Sequence, residues 1–124
     1  MKIGGLAVPY GPSEYHAEVM QGALKAANGE KVPLLHDFGE PDIIGHAELI
    51  ETEEGIYAIL NFITRLTDEE LIDIAKHCRI GGRVDQVKCD EQHRVIGGRV
   101  TSVIINGTSA IEPLEIIRSD DNEI

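Results

Sequence analysis

Cys89 and His93 form a Cys-x3-His pair, and His77-Cys78 lies just upstream, so thiol and imidazole donors of the kind that hold zinc fall within one short stretch. Structural zinc sites draw on two tight ligand pairs at regular spacing, whereas these pairs straddle what reads as a strand and a turn. Neither a metal nor a cofactor is expected. Two cysteines are also too few for a disulfide framework, and a cytosolic compartment keeps them reduced. Eleven basic residues against 22 acidic ones leave a net charge of −11, which repels phosphate backbones and argues against nucleic-acid binding. No apolar run approaches the ~20 residues of a membrane span, and Met1-Lys2-Ile3-Gly4-Gly5 lacks the apolar stretch of a secretory leader. A cytosolic protein without membrane contact is the expectation.

The elements that must position any chemistry are mostly strands. At 124 residues the chain is long enough for one core and too short for two, so residues 1–118 read as a single domain. Residues 119–124, rich in Asp and Glu, read as a flexible acidic tail. Strands are expected at residues 3–9, 32–36, 43–51 and 55–63, with turns at 39–42 and 53–55. Ala17, Val19, Met20, Ala23, Leu24 and Ala27 have helical spacing, which predicts a helix over 15–27 stopped by Asn28-Gly29. Thr67-Asp68-Glu69-Glu70 is a capping box that starts a second helix ending near His77.

Beyond that helix, Ile80-Gly81-Gly82-Arg83-Val84 recurs as Ile96-Gly97-Gly98-Arg99-Val100. The midpoint falls at Asp90-Glu91, which predicts an antiparallel hairpin with facing glycine pairs. Glycine pairs inside strands mark bulges or close backbone approach. Residues 100–105 read as a strand buried on both faces, followed by a turn at Asn106-Gly107. A last strand over 110–117 contains Pro113 and is expected at an edge. The sum is a mainly β (α+β) fold, a small closed or nearly closed barrel of about seven strands with two flanking helices.

Several segments, in order, resemble the prohead proteases of tailed bacteriophages, a family related in fold to the herpesvirus assemblins. Gly5-Leu6-Ala7-Val8-Pro9-Tyr10 resembles the family's opening strand, and Glu18-Val19-Met20-Gln21-Gly22-Ala23-Leu24 its E-x-x-x-x-G-A-F segment. Val32-Pro33-Leu34-Leu35-His36-Asp37 resembles the stretch ending in the catalytic histidine; Ile44-Gly45-His46-Ala47 and Gly55-Ile56-Tyr57 resemble the two strands after it. The family's nucleophilic serine follows a helix in a Ser-Ile-Gly-Phe motif, with Cys-Ser-Val-Gly in assemblins. Here the order is Cys78-Arg79-Ile80-Gly81, which puts Arg79 at the serine position. The E-V-S-L-V strand that carries the family's third catalytic member is matched by Val100-Thr101-Ser102-Val103-Ile104, without a carboxylate.

A guanidinium stays protonated at any working pH and cannot attack a carbonyl, so His36 would be a base with nothing to activate. The resemblance then implies a non-catalytic component of the phage head: a decoration, minor capsid or scaffold-associated protein. It would contact the major capsid or scaffold protein in multiple copies, or as a homo-oligomer, in a virion assembled in the host cytoplasm, with His36 near Arg79. The alternative is an active maturation peptidase with Cys78 as nucleophile and His36 as base, although neighbours on a strand face opposite ways. Ser102 and Ser109 lie outside the motif and rank lower as nucleophiles. An unrelated cytosolic binding module is the third reading.

Overall fold

The computed structural model describes residues 1–38, 40–106 and 110–117. Its strands are β1 (Lys2–Pro9), β2 (Lys31–Phe38), β3 (Glu40–Thr52), β4 (Gly55–Phe62), β5 (Arg79–Cys89), β6 (Val95–Ile105) and β7 (Glu112–Ile117). One α-helix, α1 (Asp68–His77), links β4 to β5. The two-residue period of a half-buried strand is plain in β4, where Ile56, Ala58 and Leu60 are buried and Tyr57 and Ile59 are only partly so. Hydrogen-bonded neighbours run β1-β4-β3-β2-β6-β5-β7, and β7 pairs back onto β1, closing the sheet into a ring. Among the pairs of named strands in the described residues, only β2–β6 is parallel.

The ring wraps the core. Ile3, Leu34, Ala47, Leu49, Ile56, Ala58, Ile80 and Val103 have no exposed surface, and each large aliphatic side chain buried in this way contributes roughly 1.5–3 kcal/mol. The helix begins where the capping box places it. Thr67 Oγ1 accepts from the Glu70 N–H at 3.2 Å, and Glu70 Oε1 accepts from the Thr67 N–H at 3.0 Å. Asp68, Glu69 and Glu70 occupy the positive end of the helix, and Lys76 and His77 the negative end, as the dipole favours. Leu71 is buried, and α1 packs on β7 and β1. Among the described residues no helix is long and apolar enough to cross a membrane.

Four expectations are corrected. The segment 15–27 is not a helix but a strap that ends in a 3-10 turn at Lys25–Ala27, so one α-helix flanks the ring instead of two. Gly22 has φ +81°, which breaks the helical path, and the backbone around Val19 is spent on β-type bonds. Gly11 N–H donates to Val19 O at 2.8 Å, and Val95 N–H donates to Glu18 O at 2.8 Å. Val19, Leu24 and Ala27 still reach the core, so the apolar spacing served burial without a helix.

The hairpin of β5 and β6 forms, but its glycine pairs do not face each other: Gly81 and Gly82 pair with Ile104 and Val103, and Gly97 with Lys88. The Asp90 carboxylate sets the turn, accepting from the N–H groups of Gln92 and Arg94, each at 2.9 Å, and from Arg94 Nε at 2.7 Å. It moves the hairpin centre towards Gln92, and each residue of shift in the turn moves the pairing by two. β7 is not an edge strand, since it pairs with both β1 and β5. Pro113 is tolerated because the β1 ladder begins only at Leu114, one residue later. Finally, Glu40–Asp42 belong to β3 rather than to a loop. Gly107 of the expected turn, Ser109 and the acidic tail 119–124 lie outside the described residues.

Candidate functional site

Of the residues singled out in the sequence, His36, Arg79 and Cys78 lie near one end of β2, β6 and β5. His36 pairs with Ile105 of β6, and Ile105 pairs with Ile80 of β5, so the three form a row across adjacent strands. Residues in such a row point to the same face of a sheet, and their chain neighbours point to the other. Ile80 and Ile105 are buried on the inner face, and half-buried His36 ends the row on the same side.

Arg79 precedes Ile80 and therefore faces outward, where it is exposed and pairs with exposed Pro113. His36 and Arg79 are two strands apart, about 10 Å between backbones at the usual strand spacing. The side chains, which the resemblance places near each other, lie on opposite faces of the sheet.

Cys78 takes the place on the inner side. It caps the C-terminus of α1 with extended backbone (φ −111°, ψ 159°), and its N–H donates to Ile74 O at 2.9 Å. Alternation through Arg79 to Ile80 turns the half-buried thiol back against the core. Burial raises its pKa above the ordinary thiol value; a hydrogen bond with Asn106 works the other way, and the nearby Asp73 carboxylate adds to the rise. The thiol is therefore protonated at neutral pH, the opposite of the depressed pKa that activates a cysteine nucleophile. Cys78 also lies two residues before Ile80 of that row, just outside β5, which is two strands from β2.

The third catalytic position fails by distance. Val100 lies five residues before Ile105 on β6, about 16 Å along the strand from the row that holds His36. It is 1% exposed, so a carboxylate at that point would be buried among aliphatic side chains. Ser102 is buried and pairs with Arg83, three residues along from Ile105. The nearest carboxylate on this hairpin is Asp85, which accepts from Thr101 Oγ1 at 2.7 Å and from Arg83 Nε at 3.3 Å. The Thr101 hydrogen bond, with Arg83 as a further contributor, holds Asp85 below the usual carboxylate range. Sequence reasoning missed this Asp85–Thr101 pair because it depends on a bulge that skips Thr101 in the β5–β6 ladder.

The thiol and imidazole donors do not converge either. Cys89 is exposed at the end of β5, and His93 sits in the hairpin turn with φ +62°. His77 instead turns to its own helix, its Nδ1 lying 3.0 Å from Asp73 O. Among the described residues no three His, Cys, Asp or Glu side chains come together as metal ligands would. Comparison with protein-family models, with curated proteins and with solved structures finds no match to this chain.

Proposed function

We propose that this chain is a non-catalytic structural or assembly protein of a tailed-bacteriophage head, built on a barrel of the prohead-protease kind. Its role would be stoichiometric contact with the major capsid or scaffold protein, as a decoration, minor capsid or scaffold-associated component present in multiple copies. The ordered resemblance and the ring of seven strands support the kinship, and one observation supports the non-catalytic half of the reading: the three positions that the resemblance assigns to a catalytic triad do not meet. Arg79 is exposed on the outer face, His36 lies two strands away, and buried Val100 is far along β6. A fold can persist without the chemistry because function resides in the site and not in the scaffold.

Two measurements test this. Quantitative mass spectrometry of purified proheads and mature heads should find the chain at a fixed ratio to the capsid protein; its absence from both would sink the structural role. The purified chain should also leave capsid and scaffold proteins from the same virus intact. Cleavage that Cys78→Ala abolishes would establish the cysteine peptidase instead.

A further inference from the structure

We infer that the cleft between β1 and β5 binds an extended segment of another protein, one that presents apolar side chains beside a lysine or arginine. The ring closes unevenly at this place. β7 pairs with β1 only over residues 2–5, and with β5 only at Arg79 and Ile80. Among the described residues, the later halves of β1 and β5 are thus paired on one side only. They touch at Gly82, where an added Cβ would stand 2.6 Å from Val8 Cγ2. The cleft alongside has a volume of about 510 Å3, and its walls include Pro9, Tyr15, Val84, Val87 and Cys89.

Two of those walls are conspicuously wet. Tyr15 is 75% exposed and Val87 is 47% exposed. Apolar side chains gathered at one exposed cleft mark a protein contact surface, and strands paired on one side suit an extended partner that adds main-chain hydrogen bonds.

Charge selects the occupant. Glu112 and His16 line this cleft, and Glu112 also lines an adjoining pocket of about 380 Å3, whose other charged lining residues among those described are Glu54 and Glu115. Among the described residues no basic side chain lines that pocket, and the Tyr57 hydroxyl that donates to Glu115 is neutral. The chain's own end, Ser119-Asp120-Asp121-Asn122-Glu123, carries the wrong sign to fill it. A second copy is also disfavoured, since each carries a net charge of −11. A basic residue flanking an apolar stretch satisfies both parts of the surface. The cleft and its charge are properties of the surface alone, so this inference does not depend on the phage-head reading.

The test is a cell-displayed library of random dodecapeptides, panned against the full chain, against Val87→Glu, and against the double variant Glu112→Gln/Glu115→Gln. Selected peptides are expected to carry apolar residues flanked by Lys or Arg. Synthetic copies should bind Val87→Glu at least about tenfold more weakly, because a charge then enters an apolar contact. They should bind the double variant about threefold more weakly at low salt, with the difference shrinking as salt is added. The double variant preserves side-chain size and tests the inference even if Val87→Glu unfolds. Peptides that bind all three proteins equally, binders enriched without basic residues, or no enrichment at all would overturn it.

Discussion

Gly82→Ala tests the closest approach in the ring. The added methyl would stand 2.6 Å from Val8 Cγ2 and 3.3 Å from Ala7 O. Val8 is β-branched and 5% exposed, so it cannot turn away, and Ala7 O belongs to the backbone. Overpacking of this kind costs typically 1–3 kcal/mol, and the lower unfolded-state entropy of alanine returns about 0.5 kcal/mol. A net loss of about 1–2 kcal/mol follows, or about 4–8 °C in Tm for a chain of this size.

The internal echo supplies the control, because Gly97 has only Lys88 side-chain atoms near its missing Cβ, the closest at 3.7 Å. Gly97→Ala should therefore be neutral or stabilising by about 0.5 kcal/mol. Gly98→Ala, whose Cβ would stand 2.7 Å from Val84 Cγ1 at φ +159°, should lose at least as much as Gly82→Ala. Urea unfolding followed by circular dichroism separates the three variants. If Gly82→Ala proves as stable as Gly97→Ala, the close packing of β1 on β5 is wrong.

Thr67→Ala removes the side-chain acceptor at the N-terminus of α1 and should cost about 1 kcal/mol in the same unfolding experiment; an unchanged midpoint would show that the cap contributes nothing. Glu70 is held below the ordinary carboxylate range by its hydrogen bonds to Thr67, the backbone one first. A carboxyl depressed in the folded state stabilises above its unfolded pKa and loses that contribution as pH falls through the folded one. The difference between parent and Glu70→Ala should therefore be full at neutral pH and fade on acidification, and a difference that grew on acidification would contradict the assignment. Cys78 is half-buried with a raised pKa while Cys89 is exposed, so iodoacetamide near pH 8, read by peptide mass mapping, should label Cys89 at least about tenfold faster. Faster labelling of Cys78 would mean an activated thiol and would revive the peptidase reading.

What the sequence made legible was local. The capping box fixed the start of α1, and the glycine pairs did signal close approach at Gly82 and Gly98. What escaped depended on one residue overriding a pattern, or on contacts distant in sequence. Gly22 broke a helical spacing that ran on both sides of it. Asp90 reset the hairpin register, and its signal was present in the sequence: an Asp followed two and four residues later by Gln92 and Arg94 is a turn-forming arrangement. The pairing of β7 on both sides could not be read from Pro113, because a proline at a strand start and one at a sheet edge look alike in sequence. The partial closure that leaves the cleft is set by how far β7 runs along β1 and β5, which no local pattern encodes.

The same distinction bears on the chemistry. A serine absent from the position that the resemblance assigns it suggests an enzyme one substitution from activity, but the geometry does not support that suggestion. A serine at position 79 would project from the outer face of β5, while His36 ends a row on the inner side. A carboxylate at position 100 would be buried and still about 16 Å along β6 from that row. Catalysis by a triad needs its three groups within hydrogen-bond reach together, so restoring one residue cannot recover it. Arg79 is an exposed residue on the outer face at the start of β5. The conformational constraint that remains acts on the glycines, the Asp90 turn and the capped helix, all of which hold the ring in shape.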